Sequence, residues 1–226
     1  MTENLTIDDA ATRWSRTDRA GLPLLVLLHG YGADEHDLFG LVPYLPADVA
    51  VASVAAPLTP PWPAPGRSWY PIEGLDGRSS AAVTLAAEAF LRWLDDAAAD
   101  APSVALLGFS QGAAVSLQAL RLAPERFGAV VALSGYAAPD ALPGDAHLAE
   151  VSPPVFWGRG SHDDVIPAPL IAHTAQWLPA HTSLSGRVYS GLTHSISEEE
   201  LRDVHRFLTT WVEGIGADQA EGSRPS

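Results

Sequence analysis

Six short, mainly apolar runs alternate with segments of helical periodicity along this chain, and most of the runs end at a glycine or serine. The runs cover residues 22–28, 49–56, 104–107, 129–133, 155–157 and 187–189. Apolar runs of this length are typical of strands that are buried on both faces of a parallel sheet. Strands that alternate with helices predict an α/β fold, with helices on both faces of about six parallel strands.

The helical segments and the loops set the domain limits. Apolar residues recur at helical spacing over 83–94 and again over 201–211, and Ser197 with Glu200 forms a capping box before the second segment. Residues 57–80 are rich in proline and glycine and predict a long, irregular loop of functional interest. We expect one domain over residues 1–213 and a disordered polar tail over 214–226.

Composition excludes several classes of function. Thirteen basic against 27 acidic residues give a net charge of −14, which disfavours a nucleic-acid partner and an anionic membrane surface. The absence of cysteine excludes disulfides, thiolate metal sites and a cysteine nucleophile. The polar N-terminus does not resemble a signal peptide, and no apolar run reaches the roughly 18 residues of a membrane span. We therefore expect a cytoplasmic protein.

Residues 108–112 read Gly-Phe-Ser-Gln-Gly and directly follow the apolar run 104–107. A helix-forming stretch comes next and stops at Pro124. A serine on such a sharp strand-to-helix turn is exposed above the sheet, and small residues two positions to either side let the turn close. The helix N-terminus can there stabilise negative charge. This context favours Ser110 as a nucleophile over a plain helix N-cap.

A serine hydroxyl needs a neighbouring base, and the chain has eight histidines. His194 follows the run 187–189 and precedes the capped helix, which is the place of the base in the chain order nucleophile, acid, base. His173, His181 and His205 lie within or beside helical patterns, so we expect them to be surface or packing residues.

The carboxylate that orients this base should follow a strand between the nucleophile and the base. Asp163 and Asp164 both follow the run 155–157; we favour Asp163, and Asp164 is the alternative. The neighbouring His162 could suggest a metal site, but no second ligand cluster of known spacing accompanies it. The sequence therefore predicts neither a metal nor a cofactor.

Acyl transfer also needs fixed N–H donors for the negative charge that develops on the carbonyl oxygen. One donor is expected from Gln111, the residue after the nucleophile, and the other from the loop after an early strand. Residues 29–32, His-Gly-Tyr-Gly, follow the run 22–28, and their glycines permit close backbone approach. Tyr31 N–H is therefore the second predicted donor.

Four motifs stand in order: LHGYG at 28–32, GFSQGA at 108–113, DDVIP at 163–167 and GLTHSI at 191–196. Together they resemble the phospholipase/carboxylesterase family, which includes the acyl-protein thioesterases and small bacterial carboxylesterases, over about residues 23–211. The resemblance implies an α/β-hydrolase fold and hydrolysis without metal or cofactor. The interval 135–153 is short and broken by Pro139, Pro143 and Gly144, so no cap domain is expected there. It implies a triad of Ser110, Asp163 and His194, and it favours Asp163 because the family's acid stands four residues before the proline.

The segment SWYPI at 68–72 resembles that family's aromatic segment beside the acyl site, which implies that Trp69 and Tyr70 bind substrate. Two features depart from the family. Arg159 stands where the family often has histidine, and the proline-rich segment 57–65 differs from the loop of the protein thioesterases, which disfavours lipidated-protein substrates.

We expect a serine carboxylesterase whose substrate is a small-molecule ester with a short-to-medium acyl chain. An acyl thioesterase or a lysophospholipase with the same triad is the first alternative. A non-catalytic ligand receptor on the hydrolase fold is the second. A missing triad residue would favour the receptor, and none is missing.

Overall fold

The computed structural model describes residues 5–72 and 79–222. In these residues, six parallel strands and one antiparallel edge strand form a single sheet. The strands are β1 (Arg13–Trp14), β2 (Leu24–Leu28), β3 (Ala50–Val54), β4 (Val104–Phe109), β5 (Ala129–Leu133), β6 (Pro154–Gly160) and β7 (Ser183–Tyr189). Their order across the sheet is β1-β3-β2-β4-β5-β6-β7. The six apolar runs correspond to β2 through β7, which confirms the predicted α/β sheet.

The edge strand β1 was not predicted from the sequence. It is two residues long and pairs antiparallel with β3, with Arg13 opposite Ser53 and Trp14 opposite Ala52. Its side chains are exposed or half-buried, so no apolar run marks it. Backbone hydrogen bonding at the sheet edge, rather than a hydrophobic pattern, places this strand.

Helices cover both faces of the sheet. They are α1 (Ser80–Ala97), α2 (Gln111–Leu122), α3 (Asp145–Val151), α4 (Ala168–His181) and α5 (Glu198–Gly222). Neighbouring residues of a strand point to opposite faces. Val26 of β2 therefore packs in the apolar cluster with α1, α2 and α4, whereas Leu27 packs in the cluster with α5 and the 3-10 helix Leu38–Tyr44.

The last helix is longer than the sequence predicted. α5 continues past Gly214 to Gly222, so the tail predicted to be disordered is helical over residues 214–222. Val212 and Ile215 pack against the apolar cluster beneath α5, which extends the buried stripe beyond the glycine. Residues 223–226 lie outside the described residues. Within those residues no helix combines the length and apolarity that a membrane crossing requires.

The irregular segment predicted at 57–80 packs against the loop that follows β2. Leu58 and Ser68 form an isolated antiparallel bridge, which closes the segment into a compact loop. Gly32 N–H donates to Arg67 O (2.9 Å) and Arg67 N–H donates to Ala33 O (2.7 Å). These bonds join the segment to the carboxyl edge of the sheet; its residues 73–78 lie outside the described residues.

Candidate active site

Ser110 occupies the tight turn between β4 and α2. Its backbone has φ 54° and ψ −113°, a left-handed conformation that is strained for a residue with a side chain. The Ser110 N–H donates to Leu133 O at 2.8 Å, which ties the turn to β5. The residue is 9% exposed, so its hydroxyl reaches the surface in a largely buried setting.

The glycines that flank Ser110 are required by backbone contact. A Cβ at Gly108 would lie 2.5 Å from the backbone of Gly112. A Cβ at Gly112 would lie 2.0 Å from Leu28 O, in the adjacent strand β2. Both distances are too short for a carbon atom, so the predicted need for small residues two positions to either side has a direct structural cause.

The structure brings His194 and Asp163 to this serine. His194 Nε2 lies 2.9 Å from Ser110 Oγ, and its Nδ1 lies 2.8 Å from Asp163 Oδ2. The Asp163 side chain is 1% exposed, and its Oδ1 accepts from the N–H groups of Val165 (3.0 Å) and Ile166 (3.3 Å). A histidine placed between a hydroxyl and a buried carboxylate can exchange protons with that hydroxyl.

The other candidates are not part of this chain of contacts. Asp164 is exposed, and it is Asp163 that contacts His194. His181 pairs with Trp177 O within α4, and His205 Nδ1 donates to Tyr44 O. Of the two aspartates that the sequence left open, the geometry therefore selects Asp163.

Two backbone N–H groups near the serine are available as donors. The Gln111 N–H is the first of α2, so it has no carbonyl partner within that helix. In the loop after β2, the N–H groups of Gly32 and Ala33 are already bonded. The Tyr31 N–H, directly before these two, has no acceptor in the described part of the chain. The structure therefore leaves the N–H groups of Tyr31 and Gln111, the two donors predicted from the sequence, without an acceptor among the described residues.

Trp69 and Tyr70, which the resemblance assigned to substrate binding, do not lie open to solvent. Both are buried, at 0% and 1% exposure. The Trp69 indole N–H donates to His29 O at 2.9 Å, and the Tyr70 hydroxyl lies 2.8 Å from the Tyr136 hydroxyl. A buried indole N–H or phenol hydroxyl needs a hydrogen-bond partner, and both rings have one inside the protein.

Sequence reasoning assigned Gln111 only a backbone role and assigned His29 none. The Gln111 carboxamide is buried and bonds to the backbone of Trp69 and Tyr70. The His29 imidazole is also buried and bonds to the backbone of Gly30 and Ala56. For His29, its position between the apolar strand β2 and Gly30 is the one signal that could have indicated this role.

A possible metal-binding group lies outside this site. In the described residues, ligand atoms of Asp34, Glu35 and His36 lie within 4.8 Å of one another. His36 Nδ1 is already paired with Asp34 (3.3 Å) and Glu35 (3.1 Å), and none of the three contacts Ser110 or His194. The segment His162, Asp163 and Asp164, for which the sequence did not favour a metal site, is not such a group in the described residues.

A family model for phospholipases and carboxylesterases matches residues 15–212. The chain belongs to the phospholipase/carboxylesterase family. Its parallel sheet with flanking helices is the α/β-hydrolase fold of this family.

Individual members of the phospholipase/carboxylesterase family give a consistent picture. Acyl-protein thioesterase 1 of Debaryomyces hansenii is 35% identical over 111 residues, 48% of each chain. The chain spans about half the length of that relative and of the similar yeast thioesterases. Esterase YpfH of Escherichia coli is 29% identical over 82% of this chain and 81% of its own. The crystal structure of esterase PE8 superimposes with a TM-score of 0.75 at 27% identity, covering 88% of this chain and 98% of PE8.

Proposed function

We propose that the chain is a serine carboxylesterase that hydrolyses small-molecule esters of short-to-medium acyl chains through an acyl-enzyme. The observation that carries the proposal is the position of His194, 2.9 Å from Ser110 Oγ and 2.8 Å from Asp163 Oδ2. This arrangement combines a nucleophile, a base and an orienting carboxylate, which is the set that acyl transfer to serine requires.

In the first half of the proposed reaction, Ser110 Oγ attacks the ester carbonyl carbon and His194 Nε2 takes the hydroxyl proton. Asp163 accepts the Nδ1–H bond and stabilises the imidazolium. The carbonyl oxygen becomes negative and accepts bonds from the N–H groups of Tyr31 and Gln111. The C–O bond then breaks, and His194 returns the proton to the leaving alcohol.

In the second half, water attacks the acyl-serine carbonyl and His194 takes the proton of that water. The same two N–H groups stabilise the second tetrahedral intermediate. The bond to Ser110 Oγ then breaks, the acid leaves, and His194 returns the proton to the serine. Each group is thereby restored, so the proposed cycle needs no further reactant.

Substitution of Ser110 by alanine tests the proposal. We expect the variant to lose nearly all hydrolysis of p-nitrophenyl butyrate, with only the contribution of the N–H donors and binding left. In the wild type, a fluorophosphonate should label Ser110 at one equivalent, as read by mass spectrometry of peptides. Labelling of another serine, or full activity in Ser110→Ala, would overturn the proposal.

A thioesterase activity is the second candidate, because several relatives are named acyl-protein thioesterases. The same Ser110, His194 and Asp163 would serve, since a thioester carbonyl is attacked in the same way. Measuring kcat/KM for an ester and a thioester of the same acyl group compares the two. A higher value for the thioester across the acyl series would favour this candidate.

A further inference from the structure

Trp69 contacts both segments that supply the proposed oxyanion donors. Its backbone N–H donates to Gln111 Oε1 at 2.8 Å, and its indole N–H donates to His29 O at 2.9 Å. Gln111 itself carries one proposed donor, and His29 precedes the other, Tyr31, by two residues. Trp69 therefore bridges two segments that are about 80 positions apart in the sequence.

On the Gln111 side, the loop holds both ends of one carboxamide. Gln111 Oε1 accepts from Trp69 N–H, and Gln111 Nε2 donates to Tyr70 O at 2.6 Å. Gln111 is 3% exposed, so water does not compete for these bonds. The first residue of α2 is thus held against the Trp69 backbone in one orientation.

In the loop after β2, hydrogen bonds of His29 fix the orientation of the peptide between Gly30 and Tyr31. His29 Nε2 accepts from Ala56 N–H (3.1 Å), so Nδ1 carries the proton and donates to Gly30 O (2.7 Å). Burial lowers the pKa of His29 and keeps the ring neutral, as this pattern requires. Gly30 O and Tyr31 N–H belong to the same planar peptide and point in opposite directions. Holding Gly30 O therefore aims Tyr31 N–H, and the Trp69 indole holds the preceding carbonyl.

We propose that Trp69 is a positioning residue for the oxyanion hole, which holds the loop after β2 and the start of α2 at a fixed spacing. The proposal rests on the proposed function, because it assigns the Tyr31 and Gln111 N–H groups to the substrate oxygen. It gives the buried indole a role that differs from the acyl-site wall suggested by its position in the sequence.

Trp69→Phe tests the indole bond, because it keeps an aromatic ring and the backbone N–H and removes the indole donor together with part of the ring volume. Oxyanion donors act mainly in the tetrahedral state, where charge develops. We expect kcat to fall about tenfold or more, with KM changed less than about twofold. Activity is expressed per fluorophosphonate-titrated site, so partial unfolding does not lower the measured kcat.

Trp211→Phe is the matched control, because it also removes an indole N–H donor but lies far from the proposed oxyanion hole. Trp211 donates its indole N–H to Ser103 Oγ at 3.0 Å beneath α5, on the opposite face of the sheet from α1 and α2. Trp211→Phe should leave kcat and KM unchanged. Inhibition by a trifluoromethyl ketone, whose adduct with serine is tetrahedral, should weaken in Trp69→Phe by the same factor as kcat/KM and stay unchanged in Trp211→Phe.

Gln111→Met tests the other end of the bridge and keeps the N–H of residue 111. We expect a similar kcat-selective loss, and a double variant with Trp69→Phe should lose less than the product of the two, because both act through one element. Multiplicative losses, a change in KM alone, or an equal kcat loss in Trp211→Phe would overturn the positioning role. An inactive wild type that no fluorophosphonate labels would instead overturn the proposed function.

Discussion

At the scale of single residues, the site depends on a strained serine and on glycines that leave room for it. The left-handed φ of 54° at Ser110 costs on the order of 1–3 kcal/mol. Close contact with two neighbouring segments, β2 and the loop after β5, offsets this cost: a Cβ at Gly112 would lie 2.0 Å from Leu28 O, and a Cβ at Gly135 would lie 2.3 Å from Ala113 Cβ. The turn is thus held by close backbone packing.

Gly112→Ala should therefore damage the turn even though alanine favours helices. Its Cβ would meet Leu28 O at 2.0 Å, and a backbone oxygen in a central strand cannot move aside. We expect a loss of more than about 3 kcal/mol in the free energy of unfolding, measured by urea denaturation. Gly214→Ala is the control: nothing lies within 4 Å of its Cβ in α5, so it should gain about 0.5–1 kcal/mol. Equal stability of the two variants would contradict this explanation.

Single substitutions also distinguish the two adjacent aspartates, Asp163 and Asp164. Asp163→Asn keeps the side-chain shape but removes the charge beside His194 Nδ1, and we expect kcat to fall by on the order of 10⁴. Asp164→Asn changes an exposed side chain and should cost less than about threefold. Steady-state kinetics on a p-nitrophenyl ester compares them, and a larger effect at Asp164 would move the carboxylate role to that residue.

At the scale of elements, the start of α5 carries an unusual buried acid. The predicted capping box is half formed: Ser197 Oγ accepts from Glu200 N–H at 3.1 Å. The Glu200 side chain is fully buried, and among the described residues neither carboxyl oxygen has a partner with full hydrogen-bond geometry. Its Oε1 occupies the place of a side chain at Gly158, where a Cβ would lie 2.2 Å away. The carboxyl group of α5 thus packs directly against Gly158 of β6, and it loses its contact with water in doing so.

This acid should make stability depend on pH. Burial raises the pKa of Glu200 to about 7, and the nearby Ser197 N–H offsets only part of that rise. Between the ordinary pKa near 4.5 and about 7, the unfolded chain loses the proton while the folded chain keeps it, so stability falls as pH rises. The difference amounts to about 3 kcal/mol above pH 8.

Glu200→Gln cannot ionise and should lose this dependence. We expect the variant to be more stable than the wild type at pH 8, with a smaller difference at pH 5, as measured by urea midpoints at both values. Glu199→Gln, an exposed neighbour, should behave like the wild type at both. If Glu200→Gln lowered the free energy of unfolding equally at pH 5 and pH 8, ionisation of Glu200 would not destabilise the folded state.

The elements also show what the sequence could and could not predict. β2 to β6 were predictable because burial on both faces leaves an apolar run, whereas most residues of β7 are exposed or half-buried and only the short run 187–189 indicated it. The contacts that join Ser110, His194 and Asp163 were predictable because chain order places each of these residues after a strand. β1 was not, since two half-exposed residues carry no pattern. The burial of Trp69 could not be predicted from the sequence either, because an aromatic residue in a loop can line an open groove or pack inside the protein. Only the two hydrogen bonds that Trp69 donates, to Gln111 and His29, distinguish these positions.

At the scale of the whole molecule, the topology gathers loops from separate strands at one sheet edge, where Ser110, Asp163 and His194 meet. The interval between β5 and β6 holds only the seven-residue helix α3, so no independent cap forms there. Two cavities of about 740 and 640 Å³ lie elsewhere, and neither is lined by Ser110 or His194. The open edge therefore favours substrates that need no deep enclosure.

This openness predicts how rate depends on acyl length. While an added CH₂ contacts the protein it contributes about 0.8 kcal/mol, or about fourfold in kcat/KM, and a CH₂ left in water contributes nothing. With no cap between β5 and β6 to cover a long chain, kcat/KM for p-nitrophenyl esters should rise from acetyl and level off or fall by medium chain length. That interval also holds no lid that has to open, so the rate should not jump as the substrate passes its critical micelle concentration. Rates that still climb at palmitoyl esters, or a clear jump at that concentration, would require an acyl tunnel that opens on binding.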